Sequence, residues 1–278
     1  MKLKWTWMAI VATLLLGACG AANKKQQNME NRTLVKLETN KGDILLALYN
    51  ETPLHRENFI KLVKDGYYEG ILFHRVIKDF VIQAGDPNSK TAADTTFLGD
   101  GDLEYTVPAE FVPGLFHKRG ALAAAREGDD VNPEKASSAC HFYIVTGKKF
   151  TEAGLQELEK VRNDARQQVI LDTLKRQHMK EIFLLRKAKD DNALSALMDT
   201  LEEKAYQMAN AEGRFRYPDA HRKVYTTVGG VPRLDQNYTV FGEVVEGMDV
   251  VEIIEMAKTN KADRPLENIV ITKATIVE

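Results

Sequence analysis

An arginine set in an apolar run is the first candidate for chemistry in this 278-residue chain. Phe73 to Gln83 reads FHRVIKDFVIQ, two short apolar runs, Phe73–Ile77 and Phe80–Ile82, either side of Lys78-Asp79. Alternation makes each run a strand and puts Phe73, Arg75 and Ile77 on one face. A guanidinium among apolar side chains needs a partner or a task, because an unpaired buried charge is costly. It keeps its proton, so the task would be hydrogen bonding and polarisation, not proton transfer. Gln83 adds a neutral donor and acceptor at the far end, and Gly85-Asp86-Pro87 stops the strand. From these eleven residues alone, a structural ion pair in a barrel wall and a functional site are equally open.

The wider sequence weighs on that choice. FHRVIKDFVIQAGD is followed, in order, by GALAAAR (Gly120–Arg126), SSACHFYIVTG (Ser137–Gly147) and RLDQNYTVFGEVVEGMDVV (Arg233–Val251). Together these blocks resemble the cyclophilin family of peptidyl-prolyl cis/trans isomerases, over about Leu34–Phe150 and Tyr225–Glu278. Four ordered blocks are far more specific than one short motif. The resemblance implies a mainly β fold, a closed eight-stranded antiparallel barrel with capping helices, and rotation of X–Pro bonds without a cofactor.

That chemistry is physically simple. Amide resonance gives the X–Pro bond a barrier of about 18–20 kcal/mol, and catalysis needs only preferential binding of the twisted amide. In the twist the prolyl nitrogen regains its lone pair and can accept a hydrogen bond. By resemblance Arg75 donates it, while Phe80, Val81, Tyr143 and Leu234 surround the proline ring. Gln83 would hold Arg75 or the substrate backbone, and Ala125 and Arg126 line the neighbouring edge. Phe142 and Tyr143 alternate, so one faces the pocket, and the resemblance selects Tyr143. The sequence also departs from the family. His141 stands where a glutamine is usual, and its protonation near pH 6–7 would add pH dependence if it joins the site; a bond to a strand neighbour is the equal alternative. Arg126 replaces an asparagine common in the family. Arg233 and Tyr238 align with a tryptophan and a histidine of drug-binding relatives, so cyclosporin-type inhibition should weaken. His55, His74, His117, His178 and His221 are scattered without metal-ligand spacing, so no metal is expected.

Composition bounds the partners. The chain is 44% hydrophobic and 28% charged with a formal charge of −2, which fits a soluble globular protein and gives no electrostatic case for nucleic acid. Residues 1–18 read as a signal peptide: Lys2 and Lys4, an apolar stretch too short to span comfortably, then Leu16-Gly17-Ala18-Cys19. That ending resembles a bacterial lipobox and implies cleavage before Cys19 and its acylation. Residues 19–32 would be the lipidated start and a polar tether, with the domain at 33–278. Gly20 after Cys19 favours the outer membrane, facing the periplasm. Cys140 would then be the remaining thiol, a small core residue.

The positioning elements follow from pattern. Thr33–Glu38 and Gly42–Tyr49 form a hairpin around Asn40-Lys41-Gly42, and Thr52-Pro53 opens a helix closed by Gly66. Gly120–Ala125, Cys140–Val145, Val240–Val244 and Ile269–Val277 read as strands, and Met248–Ile254 as a helix with Glu252 and Glu255 facing water. Thr91–Gly101 reads as a surface loop. Residues 151–223 interrupt the domain with Leu155, Leu158, Val161, Ala165 and Val169 at helical spacing, then Leu194, Leu197, Leu201, Ala205 and Met208. A break at Asp190-Asp191-Asn192 predicts an αα-hairpin insertion. Expected partners are proline-containing unfolded or flexible polypeptides, with a membrane reached through lipid on Cys19. The rival is an envelope chaperone or peptide-binding module whose insertion holds clients and which catalyses little.

Overall fold

The computed structural model describes residues 32–277, so the expected signal peptide at 1–18, Cys19 and all of the expected tether but Arg32 lie outside it. The chain divides into two compact units, one running to Lys148 and resuming at Gly230, the other comprising 149–229.

The first unit is built on one eight-stranded antiparallel sheet. β1 (Leu34–Thr39) and β2 (Gly42–Leu48) form the expected hairpin, Thr39 opposite Gly42 across Asn40-Lys41. α1 (Pro53–Lys64) starts on its proline and ends before Gly66, whose φ of 66° suits glycine. β3 (Phe73–Ile77), β4 (Val81–Ala84) and a short 3-10 turn at Pro87–Thr91 follow. β5 (Thr106–Val107) and β7 (Ser137–Ser138) pair separately, whereas β6 (Ala121–Ala124) and β8 (Phe142–Val145) join the main sheet. After the second unit come a 3-10 turn at Pro232–Leu234, β9 (Val240–Glu246), α6 (Met248–Glu255) and β10 (Ile271–Val277).

Strand order is β10-β1-β2-β9-β6-β8-β4-β3. The edge strands β3 and β10 share no ladder. Their flanks meet at one bridge, Leu72 with Val270, supported by Phe73 N–H to Ile269 O at 2.9 Å. The expected closed barrel is therefore a curled sheet joined across its edges by a bridge, because both strands begin only after that meeting point. Inside the curl, Leu37, Ile44, Leu46, Ile82 and Leu122 are buried against Phe59 of α1 and Val251 of α6. Each large apolar side chain so buried contributes about 1.5–3 kcal/mol.

Two local expectations are corrected. Phe73, Arg75 and Ile77 do not share a face, because the β3–β4 register shifts between Phe73 and Arg75. That bulge sends Phe73 and Val76 to the core and leaves Arg75 and Ile77 half-buried. Glu255 does not face water. It is buried, accepts a 2.7 Å bond from the Asp79 amide, and pairs with Arg119 at 3.2 Å.

The second unit holds α2 (Glu152–Gln177), α3 (Met179–Ala188), α4 (Asp191–Asn210) and α5 (Asp219–Thr227), four helices and not a two-helix hairpin. The break at Asp190 is present, with Lys189 left-handed at φ 55° and the Asp190 carboxylate capping Ala193. Another falls at His178, which caps the end of α2 and the start of α3. The buried stripe of α2 is Leu155, Glu159, Leu171 and Leu174, whereas Val161 and Val169 are exposed. Glu159 takes the place of an apolar residue because α5 delivers the buried Arg222, bonded to both Glu152 and Glu159. Leu171 and Leu174 pack with Leu201 and Ala205 of α4. Among the described residues, no helix is long and apolar enough to cross a membrane.

Candidate active site

The sheet register assembles the candidate residues. Arg75 on β3 stands opposite Gln83 on β4, Gln83 opposite Tyr143 on β8, Tyr143 opposite Ala123 on β6, and Ala123 opposite Val240 on β9. Residues directly opposite share a face, so one row crosses five strands. Val81, two positions before Gln83, lies on the same side. The adjacent Phe142 and Ile82 point the other way into the core. Alternation thus gives the sheet a core face and a site face.

A pocket of about 140 Å³ opens on the site face, lined by Arg75, Phe80, Val81, Gln83, Ala125, Arg126, Tyr143, Leu234 and Tyr238. These are the residues expected from sequence, with one exception. His141 is absent from the lining: its Nε2 bonds to the Gly101 carbonyl, and its ring packs edge-on to His74 at 5.3 Å. Standing one residue before Phe142, it is kept from the row by the loop that covers it. Cys140 is a buried core residue whose thiol bonds to Asp102 at 3.1 Å; burial pushes its pKa up to about 12.

Arg75 has few commitments. Its nearest acid is Asp263, with Nε 3.7 Å from the carboxylate, too long for a hydrogen bond. No bond joins it to the Gln83 amide among the described residues, and its side chain is 40% exposed. The guanidinium also lies 5.9 Å from the centre of the Phe80 ring. Arg126 differs sharply: Nε binds Asn237 O at 2.6 Å, one terminal nitrogen Glu127 O at 2.7 Å, and the other Asp129 at 2.6 Å. It braces the pocket edge and stacks on Tyr238 at 4.8 Å.

Three positioning groups escaped sequence reading. Glu255 locks the Asp79 amide, and with it the left-handed turn at φ 58° that delivers Phe80. Asp263 also belongs here, because its carbonyl accepts from Val76 at 2.8 Å and so carries its carboxylate beside Arg75. Behind the pocket, His117 connects Tyr143 Oη at 3.0 Å with Asp235 at 3.0 Å, all three buried. Burial holds the Tyr143 hydroxyl well above its ordinary pKa, so it stays neutral. No local signal in sequence links residues 117, 143 and 235. Tyr143→Phe should keep the ring but leave the His117 Nε2 without this partner, lowering stability by about 1–2 kcal/mol in urea titration. Peptide turnover should stay within about threefold, since the apolar wall survives.

Comparison with known proteins supplies the family. The family model for the cyclophilin type peptidyl-prolyl cis-trans isomerases matches residues 34–159 and 172–276. The chain belongs to the cyclophilin family. A curated relative from Staphylococcus saprophyticus, carrying the isomerase name, is 29% identical over 260 residues, covering 92% of this chain and 99% of its own. A Staphylococcus aureus relative with the same name is 31% identical over 257 residues, covering 92% and 96%. Among solved cyclophilins, one from Cryptosporidium parvum aligns with a TM-score of 0.52 at 19% identity, over 89% of this chain and 99% of that one. A second structure of that protein, in the presence of the dipeptide Ala-Pro, aligns at 0.50. At that identity, the structural likeness speaks for the cyclophilin fold alone.

Proposed function

We propose that the chain accelerates rotation about X–Pro bonds by seating proline in this pocket and donating a hydrogen bond from Arg75 to the prolyl nitrogen as the amide twists. One observation carries the reading. A guanidinium with no hydrogen bond of its own among the described residues stands at the rim of a small pocket walled by Phe80, Tyr143 and Tyr238 with Val81, Ala125 and Leu234. The volume of about 140 Å³ is close to the ~150 Å³ of a cavity that accepts benzene, enough for a five-membered ring. Phe80, Val81, Tyr143 and Leu234 favour the less polar twisted amide, and Gln83 is placed to hold the peptide backbone. The structural relative with Ala-Pro supports a proline-containing ligand. Nothing in this scheme transfers a proton or needs a cofactor.

The biological setting that fits is protein folding in the cell envelope, with proline-containing unfolded or flexible chains as substrates. Several acyl chains on Cys19 would anchor the protein durably, because each buried methylene adds about 0.8 kcal/mol. Cys19→Ala should stop incorporation of labelled palmitate; continued labelling refutes the anchor.

A holding role is the second reading, favoured by α3, which buries no residue and exposes Met179, Phe183 and Leu184. The junction of the helical unit separates the two. Gly230 N–H bonds to Lys148 O at 3.1 Å, so the chain leaves and re-enters the first unit at neighbouring backbone positions. Replacing 149–229 with a short turn should leave that unit folded. Exchange NMR on a short X–Pro peptide should then show turnover within about threefold of the full chain. Loss of turnover in a folded, excised protein would place the activity with the helices; no turnover in either form would favour the holder.

A further inference from the structure

The pocket opens into a wider cleft of about 510 Å³ whose charge is unlike the rest of the molecule. Arg75, Phe80, Arg126, Asp129, Arg233, Leu234, Asn237 and Tyr238 line it, three guanidiniums against one carboxylate on a chain with a formal charge of −2. The three cations are differently employed. Arg126 spends its donors on Asn237, Glu127 and Asp129. Arg75 faces the proline pocket. Arg233 is exposed, its guanidinium makes no hydrogen bond or ion pair among the described residues, and it lies 4.6 Å over the Phe80 ring, on the 3-10 turn at Pro232–Leu234.

We propose that Arg233 selects X–Pro segments bearing aspartate or glutamate beside the proline. This rests on the isomerase reading of the pocket. Phe80 forms a wall of both pocket and cleft, and consecutive Cα atoms lie about 3.8 Å apart. With proline against Phe80, the neighbouring side chain therefore reaches the cleft. A guanidinium over an aromatic ring uses none of its N–H donors on that ring, so a carboxylate can accept two bonds from the fork. Basic residues beside proline would meet Arg75 and Arg233 with like charge.

The test uses amidated peptides that differ only at the residue next to proline, Glu, Gln or Lys, so that no terminal carboxylate contributes. For the wild type, kcat/KM at low ionic strength should be about three- to fivefold higher for Glu than for Gln, and lower again for Lys. About 0.5 M salt should close the gap. Arg233→Gln should level the series, and Arg233→Glu should reverse it. Equal ratios in wild type and Arg233→Glu, with turnover intact, overturn the inference alone. Absence of turnover with all three peptides overturns the reading of the pocket, and this inference with it.

Discussion

Arg75→Ala should lower kcat/KM for a short X–Pro peptide by about 100- to 1,000-fold, the usual cost of losing one donor aimed at transition-state charge. The planar ground state offers the prolyl nitrogen no lone pair to accept a bond, so the loss falls on the twisted state and reads as rate. Stability should hardly move. Arg75 is 40% exposed and sits 3.7 Å from Asp263, and surface changes of this kind shift stability by about 0.5 kcal/mol or less. Exchange NMR and urea unfolding on the same variant separate the two quantities. Wild-type turnover in a folded Arg75→Ala protein would discard the mechanism.

The second large effect is on stability in acid. His74, immediately before Arg75 in the bulge, is buried, and neither ring nitrogen makes a hydrogen bond of ordinary geometry among the described residues. Burial first, and the neighbouring His141 second, lower its pKa from 6.5 to about 4. Between those values the unfolded chain binds a proton that the folded chain refuses, so stability rises with pH. It is complete above about pH 6.5 and is lost as pH falls towards 4. At about 1.4 kcal/mol per pKa unit, the loss is about 3 kcal/mol, a large part of a typical total of about 5–15 kcal/mol. His55, also lowered by burial against the opposing pull of Glu110, adds to the slope with the same sign. Urea titrations at pH 4.5 and 7.5 should show the drop in the wild type and a smaller one in His74→Leu. Equal slopes would remove His74 as the cause.

What the sequence made legible follows from local period. Alternation separates Phe142 from Tyr143, and turn chemistry marks Asn40-Lys41-Gly42, Gly66 and Asp190. The pocket residues came from family blocks, and the sheet register explains why residues so far apart in the chain meet. Features set by distant partners were hidden. The bulge at His74 cannot be seen in FHRVI, because it is an offset relative to β4. His141 was misplaced because the loop carbonyl at Gly101 that holds it lies 40 residues earlier. Glu255 looked solvated on a helical wheel, yet the Asp79 amide and Arg119 draw it inward. Glu159 broke the apolar stripe of α2 for the same kind of reason, its partner Arg222 lying on a helix that the pattern did not reveal.

The pairing of β1 with β10 sets an order on how the molecule is made. Leu34 can find Val277 only after β2 to β9 and the helical unit have all been made, so the sheet stays incomplete while those elements emerge. The helical unit, whose partners are close in sequence, can be formed before that. A chain ending short of Ile271 would leave β1 with an unpaired edge, the kind of surface that other strands add to.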